Sequence, residues 1–187
     1  MKSLSVVKKF MASLMVVTCL AATPVAASSR QFTIFKVPYY DGFKSYERGI
    51  LENGKCIFHT NTRQYELQKM ARSTTTGFRM VNRRYLVAVG SRFTDDIGQY
   101  VTLVLKNGKE IPCIVGDLKA DKDTDESNTF TQNGCCSEFI VDIRRLKENL
   151  KDGGDISDYK ETWDSPVTAI IVHEQNVFSE QKISSES

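Results

Sequence analysis

Two strand-like segments each end in an aspartate, and these two residues are the first candidates for chemistry. Asp117 closes the apolar segment CIVGD, and Asp142 closes the segment EFIVD. If the two strands meet in one small domain, the carboxylates come close together. Like charges in a partly buried site raise the pKa of one carboxyl group, which then stays protonated near neutral pH. Such an acid can protonate a glycosidic oxygen.

Asp142 also has a purely structural interpretation. It directly precedes the helix-like segment IRRLKENL. Aspartate is a preferred residue at the start of a helix, where its side chain accepts a hydrogen bond from a backbone N–H. The sequence leaves both roles of Asp142 open.

Four further acids follow Asp117 in a polar loop: Asp121, Asp123, Asp125 and Glu126. The segment DKDTDESNTFTQ has aspartates where an EF-hand loop has its first three ligands. However, Glu126 replaces the turn glycine, Gln132 replaces the bidentate glutamate, and a strand precedes the loop. We therefore predict a solvated surface loop and no metal site, with an irregular calcium site within residues 117–128 as the alternative.

Aromatic side chains are candidates for sugar contacts. Trp163 and Tyr100 could each stack on a sugar ring, although such residues more often belong to the core. His59 and His173 lie in separate strand-like runs and are interpreted as structural residues. A Cys56 nucleophile assisted by His59 would need a depressed thiol pKa, for which the sequence has no signal.

The N-terminus predicts export. Lys2, Lys8 and Lys9 precede an apolar run, and small residues follow it. This order is typical of a secretory signal peptide, here residues 1–27, with cleavage after Ala27. We therefore expect a secreted protein of the cell envelope. An uncleaved leader would instead anchor the chain, since its uncharged run is roughly 20 residues long.

The charge of the remaining chain argues against nucleic-acid binding. Removing the three leader lysines from the 25 basic residues leaves 22, against 23 acidic ones. Nucleic-acid binding needs a clustered basic face, and none is visible here. The length suits one domain with a substantial core. We expect a monomer without a cofactor.

Four cysteines lie after the leader: Cys56, Cys113, Cys135 and Cys136. An even number in an exported chain makes them disulfide candidates. Cys135 and Cys136 point to opposite faces of an extended chain and are expected to have different partners. Cys113 bound to one of them would close the acidic loop, and Cys56 would take the other. All four could also stay reduced. A zinc site is disfavoured because no CxxC spacing occurs.

The pattern of elements predicts a mainly β domain with two short helices and six or so strands, forming a closed barrel. Asn107–Gly108 joins two apolar runs and predicts a β-hairpin, with Pro112 at an edge or bulge. A strand is also predicted at 56–59, after a loop. We divide the chain into a leader (1–27), a strand and helix extension (28–80), a core (81–175) and a disordered tail (176–187).

The segment RYLVAVGSRFTDDIGQYVTLVLKNGKEIPCIVGD, with the later EFIVD, resembles a known type of domain. It is similar to the double-psi β-barrel domains of the three-aspartate and rare-lipoprotein-A-like families of bacterial wall proteins. It also looks like a group of secreted, uncharacterised Firmicutes-type proteins. Ala88–Val89, Gly98, the hairpin, Asp117 and Asp142 carry the resemblance, which covers residues 85–143.

The resemblance implies a six-stranded double-psi β-barrel that acts on peptidoglycan. Active relatives are lytic transglycosylases, in which the later aspartate acts as acid and then base while a hydroxyl of the sugar attacks. Asp142 matches that residue, and Asp117 matches the earlier one. The Gly-rich segment after the first aspartate is absent here, and the interval of 25 residues between the two is longer. A non-catalytic wall-glycan-binding module and a structural envelope protein are therefore the alternatives.

Overall fold

The computed structural model describes residues 31–38 and 44–180. The predicted leader lies outside these residues. The elements follow in chain order: β1 Phe32–Lys36, β2 Ser45–Ile50, α1 Arg63–Met70, β3 Arg72–Ser73, β4 Arg79–Val81, β5 Arg84–Gly90, β6 Gln99–Leu105, β7 Glu110–Lys119, β8 Ser137–Asp142, α2 Glu148–Gly153 and β9 Val167–Asn176. Residues 177–180 are helical, and three short 3-10 turns complete the description. The prediction of a mainly β domain is confirmed.

The strands form one mixed sheet. Its main path is β1-β9-β6-β7-β5-β4-β3, and β8 pairs with both β5 and β2. The pairs β5–β7 and β2–β8 are parallel, and the remaining pairs are antiparallel. The sheet has nine strands and is not closed, so the closed six-stranded barrel of the sequence analysis is not confirmed. The segment 28–80 contributes β1 and β2 to this same sheet.

The predicted hairpin is present between β6 and β7. Leu105 N–H donates to Lys109 O at 2.9 Å, and only Gly108 adopts a positive φ, of +80°. The Asn107 side chain accepts from Lys109 N–H at 3.0 Å. Pro112 pairs with Thr102 of β6, ahead of the first β5 partner, so its missing N–H leaves no bond unmade on that side.

One strand lies earlier in the chain than predicted. The sequence analysis expected a loop and then a strand at 56–59, but the strand is β2, and Cys56 forms only an isolated bridge with Ile50. The segment SYERGI lacks the apolar alternation of a half-buried strand. It is extended because β8 pairs with it in parallel, from Ser45–Glu138 onward.

Helix α1 covers the part of the sheet formed by β7. Thr62 caps it by accepting from Tyr65 N–H at 3.2 Å, which is a common role for threonine. Leu67 is fully buried beneath the helix. Helix α2 ends at Gly154, which has the left-handed conformation typical of a glycine that closes a helix.

The end of β9 is packed rather than free. Asn176 and Val177 are buried, and Asn176 donates to Asp96 Oδ2 at 2.8 Å. The predicted disordered tail begins at 176, and its residues 181–187 lie outside the described part of the chain. Within residues 31–38 and 44–180, no helix is long and apolar enough to cross a membrane.

Candidate functional site

The register of strand β5 brings two carboxylates together. Ala88 pairs with Asp117 of β7 on one side and with Glu138 of β8 on the other. Directly opposed residues of neighbouring strands share a face, so both carboxylates lie on the same face, flanking the small Ala88 side chain. Asp117 reaches this register because the pairing shifts at Gly116. Without that bulge Gly116 would stand opposite Ala88, and Asp117 would face the other way.

Two more charged side chains complete the group. Glu47 of β2 is two residues beyond Ser45, the partner of Glu138, and Lys119 is two residues beyond Asp117, so strand alternation puts both on the same face. Lys119 Nζ lies 3.2 Å from Glu47 Oε2 and forms a closer ion pair with Glu138. We call Glu47, Asp117, Lys119 and Glu138 the carboxylate cluster.

The electrostatics of the cluster single out Glu47. Its side chain is only 20% exposed, and burial raises its pKa to about 7, with the negative charges of Asp117 and Glu138 adding to the effect. Lys119 offsets only part of this, because Glu138 holds it more closely. For Lys119, burial opposes the positive charge, but Glu47 and Glu138 outweigh it and raise the pKa of the ammonium group. Glu47 can therefore give and take a proton near neutral pH.

Helix α1 borders the cluster at Asp117. Gln64 Nε2 donates to Asp117 Oδ1 at 3.3 Å. Gln64 lies in the first turn of α1, whose start is fixed by the Thr62 cap. The helix thereby orients the Asp117 carboxylate.

A polar cleft of about 350 Å³ opens beside the cluster. Its walls combine two cluster residues with residues of the long loop between β7 and β8, which we call the acidic loop (residues 120–136): Lys119, Asp123, Thr131, Gln132, Asn133 and Glu138. Hydroxyl, amide and charged groups of this kind suit a ligand rich in hydroxyl groups.

The acidic loop is ordered by its own carboxylates. Asp125 Oδ1 accepts from Thr129 N–H at 2.8 Å and from Phe130 N–H at 2.9 Å. The bond from Phe130, with the help of Ser127, lowers the pKa of Asp125. Asp121 accepts from Ser91 Oγ at 2.6 Å. Within the described residues, no three Asp, Glu, His or Cys side chains are arranged to hold a metal ion.

Asp142 does not have the surroundings that the predicted acid needs. Its side chain is 1% exposed. Arg144 donates from Nε to Oδ1 and from Nη2 to Oδ2, and both hydrogen bonds are 2.8 Å long. Ser73 Oγ donates to Oδ2 at 2.9 Å. The Arg144 bonds, despite burial, lower the pKa of Asp142, so it stays ionised at neutral pH. Its carbonyl group also begins the turn at Arg145 and Leu146.

Asp142 is also distant from Asp117. It lies four residues beyond Glu138 on β8, which corresponds to roughly 13 Å of strand. The predicted pairing of Asp117 with Asp142 is therefore replaced by the grouping of Asp117 with Glu138 and Glu47. Of the two predicted acids, only Asp117 belongs to the cluster.

Neither predicted aromatic residue offers a free ring face to a sugar. Trp163 is 2% exposed and stacks on Phe139 with ring centroids 5.1 Å apart. Tyr100 is also buried, with the Arg84 guanidinium 4.6 Å from its ring centroid and Glu180 accepting from its hydroxyl group. Both side chains belong to the packing of the domain.

The four cysteines are free thiols in three different surroundings. Cys113 is fully buried near Arg84, Cys135 and Cys136 lie near Lys44, and Cys56 lies near Arg79. None of the disulfides considered from the sequence is formed in the structure. Burial raises the pKa of Cys113, and it raises the pKa values of Cys135 and Cys136 to about 12, so these thiols are poor nucleophiles.

Sequence reasoning missed Glu47, Lys119 and Glu138. The usable signal was a charged residue inside an otherwise apolar strand, as Glu138 is in SEFIVD. Burying such a residue is costly unless it is paired, so it indicates a partner across the sheet. Glu47 gave no such signal, because its segment is polar.

The comparisons with known proteins identify no relative. No family model matches the chain, and no curated protein or solved structure gives a significant match.

Proposed function

We propose that this protein is exported to the cell envelope and cleaves peptidoglycan, with Glu47 rather than Asp142 as the acid. The carrying observation is that Glu47 is buried among Asp117, Lys119 and Glu138, which raises its pKa to about 7, and that Lys119 and Glu138 of this group also line a polar cleft. A carboxyl group that is half protonated near pH 7 is suited to general acid catalysis. Peptidoglycan is proposed as the substrate because of the motif resemblance, and the cell envelope is proposed as the location because of the predicted signal peptide.

The proposed reaction is that of a lytic transglycosylase. Protonated Glu47 donates its proton to the glycosidic oxygen, and the bond between that oxygen and the anomeric carbon breaks. A hydroxyl group of the same sugar attacks the anomeric carbon, and Glu47, now a carboxylate, takes the proton that this hydroxyl loses. Asp117 stabilises the positive charge that develops on the sugar.

Lys119 has a defined part in this cycle. While Glu47 is protonated, Lys119 is neutralised by Glu138. When Glu47 has given up its proton, the new negative charge lies 3.2 Å from the same ammonium group. Lys119 thus stabilises the enzyme form that must later act as base.

The acidic loop supplies the substrate contacts in this proposal. Thr131, Gln132 and Asn133 line the cleft and can donate to and accept from sugar hydroxyl groups. A six-stranded double-psi arrangement within the larger sheet is part of the same proposal. It is supported by β5, which has one parallel and one antiparallel neighbour that are distant in sequence.

A non-catalytic glycan-binding module is the second candidate. It is favoured by the position of Lys119 between Glu47 and Glu138, because an ammonium shared by two carboxylates can be a purely structural feature. In that case the polar cleft binds the wall, but no bond is cleaved.

The test incubates purified protein with insoluble peptidoglycan and analyses the soluble products for anhydro-muropeptides. We expect product from the wild type and from Asp142→Asn, and none from Glu47→Gln. Glu52→Gln is the matched control, because Glu52 is exposed and its ion pair with Arg48 lies at the surface. Binding without product, unchanged in Glu47→Gln, would support the second candidate. Product release that survives Glu47→Gln would contradict the first.

A further inference from the structure

A second cavity, separate from the carboxylate cluster, carries an unbalanced positive charge. It has a volume of about 830 Å³ and lies between the β3–β4 hairpin and the β4–β5 turn. Arg72 and Arg83 line it, and none of the described residues in its walls is acidic. Within the described residues, neither arginine makes an ion pair or a side-chain hydrogen bond. Two unpaired guanidinium groups on one concave surface favour an anionic ligand.

A buried carboxylate that contacts a residue of the cavity wall does not neutralise them. Asp142 reaches this region through Ser73, which lines the cavity and donates to Asp142 Oδ2. However, Asp142 is buried and its oxygens are occupied by Arg144. A third cation, the buried Arg79, lies behind the wall and donates to Ser73 Oγ at 2.9 Å. Its field adds to that of Arg72 and Arg83.

The backbone at Arg83 is a second, independent sign of a ligand site. Asn82 and Arg83 form the two-residue turn between β4 and β5, with φ angles of +47° and +64°. Such a turn strongly prefers glycine at its second position. At the β6–β7 hairpin the same chain does have a glycine, Gly108, at its positive-φ position. A long cation kept in a conformation that disfavours it, at the rim of a cavity, is typical of a ligand clamp.

The rest of the cavity wall indicates what the anion is attached to. Met70, Met80 and Val81 provide apolar surface, and Tyr85 provides an aromatic side chain. A volume of about 830 Å³ far exceeds that of an inorganic ion. The ligand therefore has a less polar body in addition to its charged group.

We propose that this cavity binds a small organic oxyanion, which is a phosphate monoester or a carboxylate on an apolar body, through Arg72 and Arg83. The guanidinium groups bind the oxyanion, and the methionines and Tyr85 contact the body. This inference does not rest on the proposed peptidoglycan activity, because none of the residues that carry it belongs to the carboxylate cluster.

The test measures binding by isothermal titration calorimetry with three probes: phenyl phosphate, phenylacetate and inorganic phosphate. We expect phenyl phosphate or phenylacetate to bind at least about tenfold more tightly than inorganic phosphate, because only they have an apolar body. The stronger of the two identifies the charged group. Binding should weaken with added salt, since it depends on charge.

Substitutions of Arg72 and Arg83 test whether these two residues bind the anion. Arg72→Gln and Arg83→Gly should each weaken binding about tenfold, while Arg92→Gln, which removes another exposed arginine that lies outside the cavity, should not. Arg83→Gly also suits the positive φ, so it should remain folded by circular dichroism. Equal affinities in wild type and the Arg72→Gln, Arg83→Gly double variant would overturn the proposal. So would the absence of binding by both organic probes to the wild type.

Discussion

Asp117 and Glu138 lie on opposite sides of Ala88, the residue of β5 with which both are in register. They are distant in sequence and meet because β7 and β8 pair with the two edges of the same central strand. Glu47 and Lys119 join them on that face, and burial among these charges raises the pKa of Glu47 to about 7. The chemistry of the proposed site follows from this register.

Glu47→Gln should remove a pH dependence of stability. The pKa of Glu47 is about 7 in the folded chain, above its ordinary value of 4.5. Between pH 4.5 and pH 7 Glu47 therefore keeps its proton in the folded chain and releases it in the unfolded chain. The free energy of unfolding of the wild type therefore falls as pH rises from 4.5 to 7. Relative to the wild type, Glu47→Gln should gain roughly 2–3 kcal/mol across this window. Urea unfolding at several pH values measures the difference, and a difference independent of pH would contradict the assignment.

Asp142→Asn should lower stability without removing activity. The substitution weakens two charge-assisted hydrogen bonds to Arg144 at a buried position, which costs roughly 2 kcal/mol at pH 7. Because the pKa of Asp142 is lowered, its contribution is present above its ordinary pKa and is lost as pH falls below it. The stability difference from the wild type should therefore shrink toward pH 3.

The control for Asp142→Asn is Asp152→Asn, which changes an exposed aspartate of α2. It should leave the free energy of unfolding within about 0.5 kcal/mol of the wild type. If the Asp142→Asn protein is fully folded but releases no wall fragments, Asp142 is the catalytic acid, as the sequence analysis expected.

Gly90→Ala should damage the cleft through the acidic loop. A Cβ atom at Gly90 would lie 2.0 Å from the carbonyl oxygen of Asn128, so the backbone of the loop must move. We expect a loss of roughly 1–3 kcal/mol in stability and at least about tenfold weaker binding to insoluble wall. Gly153→Ala is the matched control, because no atom lies within 4 Å of its added Cβ. Unchanged wall binding in Gly90→Ala would show that the loop does not form the binding surface.

Substitutions of Trp163 test whether this residue packs in the domain core or stacks on a sugar. Its indole stacks on Phe139 and contacts Phe78 and Tyr85 edge-on, so Trp163→Ala should cost roughly 3–5 kcal/mol. Trp163→Phe keeps part of this packing and should lose less. Folded Trp163→Phe should bind wall as the wild type does, which a pull-down measures. If the Trp163→Phe protein is stable but no longer binds the wall, Trp163 contacts the ligand.

The local features of the fold could be predicted, and the long-range pairings could not. The β6–β7 hairpin follows from the turn residues Asn107–Gly108 and from the apolar runs on both sides of them. Strand β2 was missed because SYERGI owes its extended form to β8, which is about 90 residues away in sequence. The nine-strand sheet depends on such pairings, which no local pattern specifies.

The candidate site could likewise be predicted only in part. Asp117 was recognisable as a charge at the end of an apolar strand. Its partners depend on the bulge at Gly116 and on β8 lying beside β5, and a shift of one residue would have turned Asp117 to the other face. Asp142 has the same sequence signature as Asp117, but Arg144, two residues later, makes it a structural ion pair.

The pKa of Glu47 itself is the most direct test of the proposed acid. Carbon-13 NMR of the side-chain carboxyl groups, followed from pH 3 to pH 9 and assigned by comparison with Glu47→Gln, measures it. We predict that the Glu47 signal titrates with a midpoint near 7. A midpoint near the ordinary value of 4.5 would contradict it, because Glu47 would then be fully ionised at neutral pH and could not donate a proton.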